Sequence, residues 1–497
     1  MKTSALRSIR ARWAPAVRWA LVLAASLTAA QLAACSERMP LAPSAKQIAK
    51  LPLPAAPSYI IQFGNNGVVP QSLQEAIRQA GGHIARVQRS MGLALVTGLT
   101  PSAATALRSS GTATLILPNV RRQYVRERLL ASHVVLGTPK TATGASRLTA
   151  LGDPRSAQFL SHQWNMSVIR ADSAWEHTSQ GQGTTVFILD TGVDTAHIDL
   201  AGRVNTTLST SFAFNPADTT DTIPLPFSHD VAGHGTFVSS QIATNSLGIA
   251  AVAPQAQLVM VRVLDDNGAG DDFAVLSGIM YAADHGADVI NVSLGGYLRR
   301  SNPFDLAFSD FMQRAIDYAT ARGALVVAAA GNEELNTNTA TGPHGSYSDS
   351  LHVLAGGIRQ VMSVGATGPV NQKNFDSIAV YSNFGKADVA VFAPGGNTVD
   401  STNIEDLVIG ACSSALFPEC ADERAYLSGA GTSFSSPLVA GEAAVIKAQA
   451  KTKPSPSELE ACVLSSADAP KGKSKPDINY NFGRIDVLNG ALHSKCK

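Results

Sequence analysis

Ser433 lies in Gly431-Thr432-Ser433-Phe434-Ser435-Ser436-Pro437, directly before a run of small and apolar residues, Leu438 to Ile446, that reads as a helix. Backbone N–H groups in the first turn of a helix have no partner within it, and that end carries about half a positive charge. A serine hydroxyl placed there can attack a carbonyl while the N–H groups beside it stabilise the oxyanion that forms. Such a nucleophile needs a base and a group to orient that base. Thr184 to Leu189 is β-branched and apolar, the pattern of a buried parallel strand, and it ends at Asp190-Thr191-Gly192. The carboxyl end of a parallel strand is where open α/β sheets place their sites. His234 lies in Gly233-His234-Gly235-Thr236, ahead of a second helix-like run, Phe237 to Ala243. Taken singly, an Asp after a strand is a turn residue and a Ser before a helix is a cap. Together the three make a nucleophile, a base and an orienter for acyl transfer. Asp194 and Asp199 compete for the acid, and His197 and His229 for the base. Only Asp190 ends a strand, and only His234 is followed by Gly-Thr and a helix.

The order Asp, His, Ser is that of the subtilisins. The chain resembles the subtilisin-like serine proteases (subtilase family, peptidase S8) at Asp190-Thr191-Gly192, His234-Gly235-Thr236, Gly431-Thr432-Ser433 and Ala329-Ala330-Gly331-Asn332. The resemblance implies a serine endopeptidase in which Ser433 attacks, His234 carries the proton, Asp190 orients His234, and Asn332 donates its amide to the oxyanion. It implies an α/β fold of three layers with a mostly parallel central sheet, and no cofactor for the chemistry. Other hydrolase patterns are missing: Gly431 to Ser435 is not Gly-x-Ser-x-Gly, and there is no His-Glu-x-x-His. The five cysteines form no paired C-x-x-C, which argues against a structural zinc.

A chain of 497 residues, 45% hydrophobic and 15% charged, has material for a large core and more than one domain. A net charge of +1 gives no reason to expect nucleic acid as a partner. Lys2, Arg7, Arg10, Arg12 and Arg18 precede an uncharged stretch, Trp19 to Ala34, that suits a signal segment and is short for a membrane span. It ends Leu32-Ala33-Ala34-Cys35, which resembles a bacterial lipobox. That implies lipid on Cys35, attachment to a membrane and, from Ser36, an outer-membrane or cell-surface destination. Removing Cys35 leaves Cys412, Cys420, Cys462 and Cys496, and export permits disulfides. Of the three connectivities, Cys412–Cys420 with Cys462–Cys496 is preferred, the first bracing the loop before Ser433.

The sequence divides into a signal peptide over 1–34, a Pro/Ala/Ser-rich flexible tether over 35–57, a small α+β domain over 58–126, a linker over 127–156 and the main domain over 157–497. In the small domain, Ser58 to Phe63, His83 to Gln88 and Leu93 to Leu99 read as strands, Gln71 to Ala80 and Pro101 to Ser109 as helices, and Thr112 to Leu117 or Val120 to Val125 as the last strand. That β-α-β-β-α-β order is a ferredoxin-like plait. In position it resembles the family's inhibitory propeptide, cut away by self-cleavage somewhere within Arg126 to Arg155. Such a cut would leave the lipid on the propeptide and allow the enzyme to be released.

Substrate-binding segments carry over by resemblance. Ser293-Leu294-Gly295-Gly296 and Ala329-Ala330-Gly331 match the two walls of the pocket for the residue before the cleaved bond (P1). Gly268-Ala269-Gly270 matches the edge that pairs with substrate backbone. Protein or peptide substrates are expected, read loosely through main chain, with large apolar P1 side chains. Phe237 and Phe434 depart from the usual His and Met. Asp199 and Gln163 match ligands of the family's main calcium site, whereas a shortened Thr244 to Ile249 loop removes oxygen donors that calcium needs; both outcomes stay open. The alternatives are a narrow processing protease and a catalytically silent surface lipoprotein.

Overall fold

The computed structural model describes residues 45–48, 50–64, 67–125, 129, 133–136, 152–215, 223–343, 345–352, 358–399, 403–470, 472–473, 475 and 477–492. The signal segment and Cys35 lie outside these. All of them fall in one compact unit, Pro43–Lys497, within which a small and a large subdomain are distinguishable. Among the described residues no helix is long and apolar enough to cross a membrane.

The small subdomain is built from β1 (Ser58–Gln62), α1 (Gln71–Gln79), β2 (His83–Gln88), β3 (Leu93–Thr97), α2 (Pro101–Ser109) and β4 (Leu115–Pro118). Its antiparallel sheet runs β2-β3-β1-β4, the order of a ferredoxin-like plait. Local chemistry explains the helices. Leu73 and Ile77 bury one stripe of α1, and Thr100 caps α2 through the Ala103 N–H at 3.1 Å, with Pro101 at the first position.

Two expectations are corrected here. The end of the expected tether is packed rather than loose. Ile48 is 1% exposed and Leu53 5%, and buried Arg108 donates to the Ile48 carbonyl at 3.2 Å and also to that of Leu51. Of the two candidates for the last strand, Leu115–Pro118 closes the small sheet, while β5 (Arg121–Gln123) leaves it. β5 pairs antiparallel with β10 (Ala269–Asp271) of the large subdomain.

The large subdomain centres on a seven-stranded sheet. Its strands are β7 (Thr185–Asp190), β8 (Thr210–Ser211), β9 (Gln257–Arg262), β11 (Val289–Val292), β12 (Leu325–Ala329), β13 (Val361–Thr367) and β14 (Val391–Pro394). The order is β14-β13-β12-β11-β7-β9-β8, and every neighbouring pair is parallel. This is the expected α/β class. Strands buried on both faces need near-continuous apolar runs, as in Val186 to Leu189 and Leu325 to Ala329. After β7 the chain builds β8 and β9 on one side, then returns to add β11 on the other. The β7/β11 boundary is therefore the topological switch point, where such sheets open a crevice.

Helices α3 (His234–Ile242), α4 (Asp272–Asp284), α5 (Pro303–Ala321) and α6 (Thr432–Gln449) flank this sheet. A separate antiparallel sheet joins β15 (Val408–Ala411), β16 (Ala425–Gly429) and β6 (Val134–Leu136) from the expected linker. Helix α6 is buried from Thr432 to Lys447, which its small, all-round apolar composition permits.

Glu442 is the buried acid of α6. It is fully buried, its Oε1 accepts the Ser466 hydroxyl at 3.1 Å, and burial pushes its carboxyl up to about 8 from an ordinary 4.5. The fold thus holds this proton more tightly than the unfolded chain does. Its stabilisation is complete below the ordinary value and is lost as pH rises through about 8. Glu442→Gln should flatten the fall in Tm between about pH 5 and pH 9 and melt higher than wild type at the alkaline end. Equal slopes in thermal scans would show that Glu442 does not carry its proton in the fold.

Candidate active site

Asp190 ends β7 and His234 begins α3. His234 Nδ1 and Asp190 Oδ1 are 2.8 Å apart, with Asp190 0% and His234 1% exposed. The same oxygen accepts the Thr191 N–H at 2.7 Å. The close approach depends on Gly235, since a Cβ there would lie 2.1 Å from the Gly192 carbonyl oxygen. Asp230, which the sequence reading did not single out, ties the two loops together. It accepts the Thr191 hydroxyl at 2.7 Å, the Gly233 N–H at 3.0 Å, and the Thr236 N–H and hydroxyl at 2.8 and 2.7 Å. Burial raises its carboxyl, an effect that the Thr236 and Thr191 donors offset only in part. The competing residues have other work. His197 is buried with Nε2 2.9 Å from the Ala425 carbonyl, and Asp194 accepts the Ala196 and Ser414 N–H groups at 3.0 and 2.8 Å.

Ser433 is the second residue of α6 and is 3% exposed. Pro437, four residues on, has no N–H to return to the Ser433 carbonyl, so the helix loses a bond there. Ser293, just beyond β11, supplies it: its hydroxyl donates to the Ser433 carbonyl at 2.8 Å. Ser293 itself accepts from Asn291 Nδ2 at 3.0 Å. The residue expected as pocket wall is also the clamp on the serine's backbone.

Asn332 follows β12. Its Oδ1 accepts the Thr432 N–H at 2.9 Å and the Thr432 hydroxyl at 2.8 Å. Those donors fix the amide orientation and turn Nδ2 the other way. Gly331 adopts φ of +102°, which favours glycine, and donates its N–H to the Thr432 hydroxyl at 3.1 Å. Ser433, Asn332, Gly295, Ala329, Gly331 and Thr432 line one pocket, together with Glu333 and Tyr124. Leu294 is buried behind Gly295, Gly296 is buried too, and Ala330 packs on Val389 and Phe392. Extended backbone alternates its faces, so only some of the expected wall residues meet the pocket. Glu333, whose carboxylate accepts the Tyr297 hydroxyl at 2.7 Å and Asn383 Nδ2 at 2.9 Å, was missed by the sequence reading; adjacency to Asn332 was the only signal.

The expected substrate edge is occupied by the chain itself. Ala269–Asp271 pairs with β5, the Gly268 carbonyl accepts the Tyr124 and Val125 N–H groups, each at 3.1 Å, and the Gly295 N–H donates to the Tyr124 carbonyl at 3.2 Å. Farther on, Leu129 packs near Gly429, and β6 adds to β16.

The two departures form one pair. The Phe237 and Phe434 rings lie 4.0 Å apart at centroid, and Phe434 lies 5.6 Å from the His234 ring. Gly410 makes room, since a Cβ there would meet the Phe237 ring at 2.7 Å.

Asp199 and Gln163 do not form a calcium site. Asp199 accepts the Leu247, Gly248 and Ile249 N–H groups at 2.7, 2.9 and 3.0 Å and the Tyr426 hydroxyl at 2.8 Å. Gln163 closes a two-way bond with Ala250. The shortened loop presents N–H donors to the carboxylate, whereas calcium needs lone pairs. Among the described residues no group of three His, Cys, Asp or Glu could hold a metal. Cys412 and Cys420 form the expected disulfide, with Cα atoms 5.7 Å apart. Cys462 is not a free thiol, and Cys496 lies outside the described residues.

Residues 181–484 match the model of the subtilase family, Peptidase_S8. Thermitase from Thermoactinomyces vulgaris is 33% identical over 322 residues, which are 64% of this chain and 93% of the relative. The crystal structure of the epidermin leader peptide processing serine protease of Staphylococcus aureus superposes with a TM-score of 0.68 at 21% identity, covering 87% of this chain and 97% of that one. At that identity the likeness speaks for the fold alone. The nisin leader peptidase NisP of Lactococcus lactis gives 0.54 at 25% identity, over 67% of this chain and 95% of its own.

Two outcomes follow from the hydrogen bonding. Ser293→Ala leaves the buried Ser433 carbonyl without its donor, which should cost about 1–3 kcal/mol in denaturant unfolding; an unchanged midpoint would show that the carbonyl finds another partner. Because N–H groups and a phenol already fill the Asp199 oxygens, a calcium chelator should leave Tm unchanged. A chelator-dependent drop reversed by added calcium would contradict this.

Proposed function

The chain belongs to the subtilase family and is a serine endopeptidase, and from that premise we propose that Asp190, His234 and Ser433 perform the chemistry. With Asp190 accepting from Nδ1, the His234 ring is oriented with Nε2 as its base. Ser433 Oγ attacks the scissile carbonyl and passes its proton to His234, which returns it to the leaving amine. Asp190 orients the ring and stabilises the imidazolium. Asn332 Nδ2 and the Ser433 N–H receive the oxyanion. Losing one such donor typically lowers turnover about 100- to 1,000-fold, a range measured in a subtilisin. The buried 2.8 Å Asp190–His234 bond carries this reading.

The small subdomain is the enzyme's own inhibitory propeptide. Its exit segment, Arg121 to Val125, sits on both walls where a substrate's backbone would sit. Among the described residues, Val125 is the last held on those walls and Leu129 is the next held, near Gly429. The maturation cut therefore falls between Val125 and Leu129, narrowing the expected Arg126 to Arg155 range. The small residues Gly295, Ala329 and Gly331 leave the pocket room for a large P1 side chain. Glu333 on its wall disfavours an acidic one. No cofactor takes part. An exported precursor, lipidated at Cys35, would then release the mature enzyme while its propeptide stays anchored.

Ser433→Ala tests the reading. The variant should accumulate as uncut precursor and leave casein intact, whereas the wild-type fragment should begin between Arg126 and Leu129 by N-terminal sequencing. Cell fractionation should find that fragment free of membranes. Processing of purified Ser433→Ala at the same bond, or a casein-cleaving species still intact from Cys35, would overturn the respective claim.

A further inference from the structure

β5 is held by more than its backbone. Arg122 Nε and Nη2 donate to the two oxygens of Asp272 at 2.7 and 3.0 Å, and Nη2 also reaches Asp305 Oδ1 at 3.0 Å. The guanidinium carbon lies 5.8 Å from the Phe308 ring centroid. Asp272 is 1% exposed and Asp305 6%. Each sits in the first turn of its helix, α4 and α5, where the helix dipole favours an anion. The remaining oxygen of Asp305 accepts the Arg299 N–H at 2.8 Å. Desolvation raises the Asp272 carboxyl to about 6 even with the Arg122 charge pulling it down. Two buried carboxylates that share one guanidinium nitrogen repel each other once that cation is withdrawn.

Arg122 stands opposite Gly270 in the β5–β10 ladder. A peptide that adds to this edge in the same antiparallel sense places the side chain of its own Gly270-facing residue where Arg122 now lies, because ladder position decides which face a side chain takes. The other two arginine contacts are of a different kind. Arg121, paired with Asp265, is 39% exposed, and Arg86 meets Asp271 at 3.5 Å from the body of the small subdomain. They hold the propeptide without defining a slot along the strand.

We propose that Asp272 and Asp305 form a cation subsite that selects substrates carrying arginine at the residue paired with Gly270, the propeptide's Arg122 serving as its internal occupant. This rests on the reading that substrate replaces β5 on the β10 edge. The fork of Asp272 oxygens matches a planar guanidinium in two bonds, so arginine is favoured over lysine, which offers a single point charge. The subsite adds selectivity remote from the cleaved bond to whatever the P1 pocket supplies. Main-chain recognition alone would leave the enzyme unselective.

The test uses mature enzyme and an internally quenched peptide with the sequence of Asn119 to Leu130, carrying arginine, lysine or citrulline at the place of Arg122. Citrulline keeps the shape and removes the charge. The arginine peptide should show kcat/KM at least tenfold above citrulline, with lysine between, and Asp305→Asn should bring the arginine-to-citrulline ratio close to one. If that variant fails to mature, the wild-type comparison stands by itself. Equal kcat/KM for arginine and citrulline in wild type overturns the subsite while leaving the protease reading intact. Failure to cleave any of the peptides or casein overturns both.

Discussion

His234 Nδ1 and Asp190 Oδ1 meet at 2.8 Å in a place that water does not reach. A buried carboxylate needs donors, and Asp190 Oδ1 takes the His234 ring and the Thr191 N–H, so the end of β7 and the start of α3 must be held in register. Much of the surrounding structure serves that requirement. Gly235 removes the Cβ that would strike the Gly192 carbonyl, and Asp230 gathers donors from Thr191, Gly233 and Thr236 to lock both loops. On the far side of the crevice, Ser293 replaces the hydrogen bond that Pro437 cannot make and holds the backbone of Ser433. The proposed nucleophile and base are thus positioned by separate networks that meet at the switch point of the sheet.

The same crevice is crossed by the chain's own strands. β5 adds to β10 before it, and β6 adds to β16 after it, so the N-terminal part of the chain is bound by main-chain ladders on both sides. Ladders recognise any sequence, and the side-chain contacts give the segment its identity. Arg122, its side chain 13% exposed, is the one that bonds two buried carboxylates. Arg121, which reaches buried Asp265, is itself 39% exposed, so solvent screens its charge more than that of Arg122. In the proposed propeptide, a cut beyond Val125 would separate the β5 ladder from the β6 ladder, so that neither any longer holds the other in place.

Departures from the family pattern make sense in pairs. Phe237 and Phe434 replace residues expected to differ in shape and polarity, yet each ring fills the space beside the other under His234. Likewise the shortened loop beyond α3 turns three N–H groups toward Asp199, and Tyr426 adds a fourth donor. The carboxylate that a metal would otherwise neutralise is satisfied by hydrogen bonds. A change in one member of either set, without its partner, would leave a void or an unpaired charge.

Local sequence alone determined the α/β class, the plait at the N-terminus, the strand before Asp190 and the helices after His234 and Ser433, and it favoured the Cys412–Cys420 bridge among three connectivities. Each is written in neighbouring residues: apolar runs, caps, glycine placements and short spacings. Tertiary structure alone decided what lies far apart in the chain. Nothing near Asp230 marks it as the hub of the His234 loop, and nothing near Ser293 announces that it stands in for the missing N–H of Pro437. Arg121 to Gln123 reads equally well as the last strand of its own sheet, and only the β10 edge draws it away. Asp272 and Asp305 look like ordinary first-turn acids, because helix starts favour them everywhere. They become a binding pocket when packing buries them side by side around Arg122, and burial is a property that no local pattern encodes.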